Sequence, residues 1–165
     1  MHANERMLRA LARVSARAVL HVARRFAPVL DAGIVDEGGC AYLAYCRARV
    51  ALPAGPNETG RECWVNSLHV EDWYRTHVLL AALGFSDAVF ALWEKQHGRR
   101  DGLVCLISKN RVAGSARHAV VWKMHRHRPG QDWLAADLSG YDDAVLELTS
   151  CNDITLVKER LSLRA

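Results

Sequence analysis

The chain has 165 residues, half of them apolar, which predicts one domain with a substantial core. Its net charge of +4 is mild, and its 18 arginines and 4 lysines are not gathered with aromatic residues into one basic run. The composition therefore does not favour nucleic-acid binding, and no segment is long and apolar enough to span a bilayer.

Five cysteines are present, an odd number without a CxxC pair. This pattern argues against a disulfide framework and a structural zinc site, and it favours a reducing compartment. We expect no metal and no cofactor. The arginine-rich N-terminal segment lacks the uninterrupted apolar region of a secretory signal. We therefore expect a cytoplasmic protein, or one that is exported into a host cell without a Sec signal.

The first predicted element is a helix over residues 5–26, within an N-terminal helical extension of residues 1–30. Apolar residues recur along it at spacings of three and four, and Arg9, Arg13 and Arg17 form a row on another face. Pro28 should end this helix or begin a short new one. The arginine row indicates a solvated face, and contact with a membrane surface or a partner protein is the alternative.

Two glycines, Gly38 and Gly39, precede Cys40, and a second helix is predicted over residues 41–52. A cysteine at a helix start suits a nucleophile, because the free N–H groups and the helix dipole favour the thiolate. The same N–H groups can donate to an oxyanion. The alternative is a structural cysteine buried in a helix.

The next predicted elements are two further helices after a loop over residues 53–60. The first covers residues 70–83 and is closed by Gly84. The second runs from about residue 86 to residue 96 and is closed by Gly98, because glycine readily adopts the left-handed conformation that ends helices.

The rest of the sequence consists of short apolar runs separated by turns that contain Gly, Pro, Asn and Asp. Such runs predict strands. The predicted strands cover residues 103–107, 119–122, 133–136 and 145–148. Helices that precede strands indicate an α+β fold, with N-terminal helices packed on a C-terminal antiparallel sheet.

A hairpin between the second and third strands would bring two polar residues together. If Trp122 pairs with Trp133, then His118 lies directly opposite Asp137 on the same face, with Cβ atoms about 5 Å apart. A carboxylate at that distance could hold an imidazole in one tautomer. With Cys40, these residues form a candidate catalytic triad.

The three residue types match the parts of a cysteine hydrolase. The Cys40 thiolate would attack a carbonyl carbon, His118 would take and return a proton, and Asp137 would orient the imidazole. Taken singly, His118 also fits an exposed strand end, and Asp137 fits a turn. Cys63, which is followed by Trp64, is the second candidate nucleophile.

This order of elements resembles the papain-like cysteine hydrolase superfamily, and within it the peptidases of bacteriocin export transporters. The resemblance includes the turn at Cys40, a Leu-Gly-Phe turn at residues 83–85, the apolar strand over 103–107, and strands bearing His118 and Asp137. It implies a single papain-like domain over residues 1–165. Bacterial effector deamidases, which act on protein glutamines, resemble the same superfamily.

The resemblance implies a cysteine-dependent amide hydrolase, either a protease or a glutamine deamidase, acting on a protein substrate. Acyl transfer by the same triad is a further reading. Two departures are evident: no glutamine precedes Cys40 to complete an oxyanion hole, and Asp137 is followed by Leu138 instead of proline. The alternative is therefore a catalytically inactive papain-like module that binds a protein partner.

Overall fold

The computed structural model describes residues 1–14, 22–54, 57–99, 101–111 and 118–162. Its helices are α1 (Glu5–Leu11), α2 (Ala27–Ala32), α3 (Ala44–Arg47), α4 (Glu58–Val65), α5 (Val78–His97) and α6 (Cys151–Ser162), with 3-10 turns at Val22–Phe26 and Val70–Asp72. Its strands are β1 (His2–Ala3), β2 (Ile34–Glu37), β3 (Cys40–Leu43), β4 (Leu68–His69), β5 (Leu103–Arg111), β6 (His118–Arg126) and β7 (Ala144–Leu148). Within the described ranges, no helix has the length and apolar character needed to cross a membrane.

Five of the strands form an antiparallel sheet in the order β1-β7-β5-β6-β4, and β2 and β3 form a separate hairpin. In the centre of the sheet, Ile107 of β5 lies opposite Trp122 on one side and Leu146 on the other. The prediction of an α+β fold with an antiparallel sheet is confirmed. The predicted strands at 103–107, 119–122 and 145–148 are the cores of β5, β6 and β7.

One face of the sheet carries the main core, because alternate residues of a strand point to the same side. Cys105, Ile107, Trp122 and Met124 point to this side and are buried there with the apolar face of α5. Trp122 also donates a hydrogen bond from its ring nitrogen to Ser86 Oγ of α5 at 2.9 Å. The long helix is therefore fixed to the sheet by packing and by one buried polar contact.

The opposite face of the sheet is covered by residues 127–143, which contain no helix or strand. We call residues 127–143 the cover segment. Its Leu134 packs against a small buried cluster formed by Val104 and Leu106 of β5 and Cys63 of α4. Irregular chain and helix α4 therefore shield this face together.

Helix α5 is continuous, so the predicted division into two helices at Gly84 is wrong. A glycine inside a helix costs only about 1 kcal/mol relative to alanine. Leu83 and Phe85 on either side of it are both buried, and their packing outweighs that cost. The predicted end at Gly98 is confirmed: this residue has φ 67° and donates its N–H to Glu94 O at 2.8 Å.

Cys40 lies in a strand, and the predicted helix over residues 41–52 is wrong except for the single turn of α3. Gly38 and Gly39 have φ of 58° and 78°, and they form the two-residue turn between β2 and β3. A hairpin turn with positive φ at both central positions strongly favours glycine. The two glycines are therefore a hairpin signal and not the approach to a helix.

The predicted hairpin that pairs Trp122 with Trp133 is also wrong. Strand β6 pairs with β5 instead, and residues 133–136 lie in the cover segment without strand structure. The reason is that β5 and β6 match over nine residues each, which satisfies far more backbone groups than a short apolar run after Pro129 could.

The N-terminal residues, predicted as an extension over 1–30, contribute to the domain itself. Strand β1 pairs with β7, and Met7, Phe26 and Val29 belong to the main core. The predicted helix over 5–26 begins correctly at α1, while its residues 15–21 lie outside the described part of the chain.

Candidate functional site

The predicted nucleophile Cys40 is the first residue of β3, and only 1% of its surface is exposed. Its Sγ makes a long contact with the backbone carbonyl of Glu58, at 3.9 Å, and Cys40 pairs with Glu37 across the hairpin. A strand provides neither the free N–H groups nor the aligned dipole of a helix start. Cys40 therefore lacks the helix-start environment on which its prediction as a nucleophile was based.

The predicted base His118 is exposed at the first position of β6, opposite Arg111. Its Nδ1 lies 3.2 Å from the carbonyl oxygen of Asn110. Strand β3 lies near the other end of β6, where the side-chain amide of Asn66 donates both to Ala41 O of β3 and to Met124 O of β6. Met124 lies six positions after His118 in β6, and six steps along a strand span about 20 Å. The structure therefore does not bring His118 to Cys40.

The predicted orienting residue Asp137 is exposed in the cover segment. Its carboxylate accepts hydrogen bonds from the backbone N–H and the hydroxyl of Ser139, both at 2.9 Å. These two hydrogen bonds hold the pKa of Asp137 below its ordinary value. Asp137 thus shapes a local turn, and the structure does not assemble the predicted triad of Cys40, His118 and Asp137.

The second candidate nucleophile, Cys63, lies within α4 and is fully buried. Burial raises the pKa of its thiol to about 12, although the nearby Lys123 ammonium opposes that shift. A thiol with so high a pKa is almost entirely protonated at neutral pH and is a poor nucleophile.

The structure instead brings together a buried polar network centred on Glu62 of α4, which is fully buried. Glu62 Oε1 accepts hydrogen bonds from Ala41 N at 2.6 Å and from Arg128 Nη2 at 3.0 Å. Glu62 Oε2 accepts from Arg126 N at 3.0 Å and from Arg128 Nη1 at 2.6 Å. One carboxylate therefore joins β3, β6 and the cover segment.

Arg128 completes this network from the cover segment. Its hydrogen bonds to Glu62 raise the pKa of the guanidinium, and its Nη2 also donates to Gly39 O at 2.8 Å. A buried carboxylate is tolerated only when it is paired and fully hydrogen-bonded, and Glu62 meets both conditions.

Asn66 lies one turn after Glu62 and is also fully buried. Its Oδ1 accepts from Leu43 N at 2.8 Å, and its Nδ2 donates to Ala41 O at 2.9 Å and to Met124 O at 3.1 Å. Residues four apart lie on the same face of a helix. Glu62 and Asn66 thus fix one face of α4 between the hairpin and the sheet.

The outward face of α4 carries Trp64, whose surface is 64% exposed. A second tryptophan, Trp133 of the cover segment, is 42% exposed, and the Lys123 ammonium lies 4.9 Å from the centre of its ring. Their chain neighbours Cys63 and Leu134 pack together in the small cluster beneath the cover segment. Each exposed tryptophan is thus the chain neighbour of a residue of one apolar cluster, and we call Trp64 and Trp133 the aromatic surface.

The solvent-facing side of this arrangement differs from its buried side. In the described ranges, no group of three His, Cys, Asp or Glu side chains is placed to hold a metal ion. Of the charged residues of α4, Glu62 belongs to the network, while Glu58 and Arg61 form a partly exposed ion pair at 3.3 Å. Helix α4 also exposes the large aromatic side chain of Trp64.

Sequence reasoning missed Glu62, Trp64 and Asn66 because it placed no helix at residues 58–65. A signal was present: Asn57 accepts a hydrogen bond from Gly60 N at 2.7 Å, as an N-cap residue does, and Glu58 follows it in the first turn. The glycine and prolines before this segment favoured a loop instead.

Comparison with known proteins gave one match. No curated protein and no solved structure matches the chain. Residues 2–158 match the family model described as the Uncharacterized protein PM0498 family, and the chain belongs to that family.

Proposed function

We propose that this chain is a protein-binding domain, and that the aromatic surface formed by Trp64 and Trp133 contacts the partner. The observation that carries the proposal is the 64% exposure of Trp64. Tryptophan is on average a highly buried residue, and it is enriched among the few residues that dominate the energy of protein interfaces.

The support for Trp64 makes it suitable as a binding anchor. Glu62 and Asn66 attach the opposite face of α4 to β3 and β6 through buried hydrogen bonds. An anchor held by a rigid element loses little conformational freedom on binding, and this preorganisation increases affinity. Trp64 has only two rotatable side-chain bonds, which reduces that loss further.

The papain-like relationship and the cysteine amide hydrolase, whether protease or deamidase, stay predictions that no comparison tests. The burial of Cys40, and its distance along the sheet from His118, do not support them. The alternative of a module without catalysis that binds a protein partner agrees better with the geometry of the described residues.

The first experiment identifies the partner by site-specific photo-crosslinking in cells that express the protein. The photoreactive residue benzoylphenylalanine replaces Trp64 in one variant and Leu156 in the control. Leu156 is an exposed apolar residue of α6, which packs against α5 and β7 rather than near α4. We expect a discrete protein adduct from position 64 that position 156 does not give.

The second experiment measures the affinity of the purified partner by calorimetry. Trp64→Ala should weaken binding at least tenfold, about 1.4 kcal/mol, as expected for an interface anchor. Leu156→Ala should leave the affinity unchanged. Equal adducts from both positions, or unchanged affinity in Trp64→Ala, would overturn the proposal.

A further inference from the structure

We propose that the cover segment is an acid-sensitive lid, and that protonation of His125 releases it from the sheet. Release would uncover the buried cluster of Cys63, Val104 and Leu106. This inference concerns the opening of the protein itself and does not depend on the identity of a partner.

The trigger is a buried histidine with one unused nitrogen. His125 lies on the covered face of β6, opposite Val104, and only 2% of its surface is exposed. Its Nδ1 is 2.7 Å from the carbonyl oxygen of Arg126, so Nδ1 carries the proton and donates it. Its Nε2 is therefore an acceptor, and this buried atom has no hydrogen-bond partner among the described residues.

The charges around His125 do not compensate for a proton on Nε2. Glu62 of α4 and Asp132 of the cover segment favour the charged form, and Arg128 of the cover segment opposes it. Glu62 is already occupied by the Arg128 guanidinium and by two backbone N–H groups. Burial has the largest effect and lowers the pKa of His125, because the imidazolium would lose its hydration.

The cover segment is the neighbour of His125 that can move at the least cost. Helix α4 is held by the Glu62 and Asn66 networks, and β5 is paired along its whole length. The cover segment is anchored at its two ends, where Arg128 donates to Glu62 and Asn4 Nδ2 donates to Asp143 O at 2.8 Å. Between these ends it depends on the packing of Leu134, the contact of Trp133 with Lys123, and a hydrogen bond of 3.5 Å from Asn4 to Leu138 O. The part that would open is therefore the middle of the segment, between its two anchors. Segments with few buried apolar contacts open first.

The sign of the pH dependence follows from the two states. In the closed state His125 stays neutral below its ordinary pKa, whereas in the open state it regains that pKa, about 6.5. The open state therefore binds the additional proton as the pH falls. The population of the open state should rise about tenfold for each pH unit below about 6.5, until the closed state is protonated too.

Opening would also displace Trp133, one of the two residues of the aromatic surface, because Trp133 belongs to the cover segment. Acid would then weaken partner binding at the aromatic surface. This consequence rests on the proposed function, whereas the opening itself does not.

Two fully buried cysteines provide the test, because one is packed against each face of the same sheet. Cys63 lies beneath the cover segment, and Cys105 lies in the main core. The full-length protein is labelled with dithiodipyridine, which reacts with thiols in acid, and each site is quantified by peptide mass spectrometry. Rates are divided by those of the urea-unfolded chain at the same pH, which removes the intrinsic pH dependence of each thiol.

We expect the relative labelling rate of Cys63 to rise about tenfold between about pH 7.5 and pH 5.5 while that of Cys105 stays constant. In His125→Leu, which cannot titrate, the Cys63 rate should be independent of pH. Equal increases at Cys63 and Cys105 would indicate global unfolding and overturn the proposal, as would a constant Cys63 rate. A pH response retained in His125→Leu would assign the effect to another group. The wild-type comparison of the two cysteines decides the matter even if the variant folds poorly.

Discussion

The side chain of Asn66 hydrogen-bonds to the backbone of Ala41 where a neighbouring β-strand would otherwise do so. Its side-chain amide donates to Ala41 O at 2.9 Å and accepts from Leu43 N at 2.8 Å, on the edge of β3 that faces away from β2. The same amide donates to Met124 O on the edge of β6. One side chain therefore joins the edges of two sheets that do not pair directly.

Gln96 closes the other edge of the hairpin in the same way. Its Oε1 accepts from Ile34 N at 3.0 Å, and its Nε2 donates to Ile34 O at 3.3 Å. Unpaired strand edges are sites of aggregation and mispairing. The side-chain amides of Asn66 and Gln96 thus protect a small hairpin that, in the described part of the chain, has no further strand on either side.

The first prediction concerns Asn66→Ala. The change leaves Leu43 N, Ala41 O and Met124 O buried without their partner, so the free energy of unfolding should fall by roughly 2–4 kcal/mol. Urea denaturation followed by circular dichroism measures it. Asn152→Ala, at an exposed position of α6, is the matched control and should change stability by less than about 0.5 kcal/mol. Similar stabilities of the two variants would contradict the role of Asn66.

The second prediction concerns the ion pair between Glu62 and Arg128. Glu62→Gln removes a fully buried charge and leaves the partly buried guanidinium of Arg128 without its carboxylate, so the free energy of unfolding should fall by about 3 kcal/mol. Replacing both residues by methionine removes both charges, so the double variant should lose less than the sum of Glu62→Met and Arg128→Met. A double-mutant cycle in urea measures this coupling. Strict additivity would mean that the pair does not act as a unit.

The main sheet was predictable because its central strands carry a local signal. Leu103, Val104 and Cys105 belong to a continuous apolar run, which is typical of a strand buried on both faces. The end of α5 was also predictable from a local signal, because a single residue, Gly98, provides the left-handed conformation that ends the helix.

The site was not predictable because its contacts are long-range. Glu62 and Arg128 are distant in sequence, and nothing local to either residue indicates that they form a buried pair. The predicted hairpin paired Trp122 with Trp133. In the structure β6 pairs instead with β5, over the whole length of β5. The glycines before Cys40 fitted both a helix approach and a hairpin turn, and only the pairing of β2 with β3 distinguishes them.

The third prediction concerns pH and Asp153, whose carboxylate accepts from the Met1 amine at 2.6 Å and from Thr149 N at 2.7 Å. Burial alone would raise the pKa of Asp153, but these hydrogen bonds outweigh it and the pKa is lowered. A carboxyl group with a lowered pKa stabilises the folded state above its unfolded pKa, about 3.9, and loses that contribution as the pH falls through the folded value.

Asp153→Asn should therefore reduce the free energy of unfolding by about 1–3 kcal/mol at neutral pH, and the difference from wild type should shrink in strong acid. Urea denaturation at a series of pH values measures it. Asp142→Asn is the control, because its ion pair with Arg6 is fully exposed and should contribute little. A difference that stays constant with pH would show that the charge of Asp153 is not responsible.

The fourth prediction distinguishes the described structure from the arrangement that the cysteine-hydrolase hypothesis requires. Cys151 is the one cysteine that is partly exposed, so it should react first with iodoacetamide at mildly alkaline pH. The other four thiols are buried, and burial raises the pKa of Cys46 to about 11. His118→Ala should leave the labelling rate of Cys40 unchanged, because the two residues lie near opposite ends of β6. If Cys40 reacted first, and His118→Ala slowed it, the two side chains would have to meet in a conformation other than the one described.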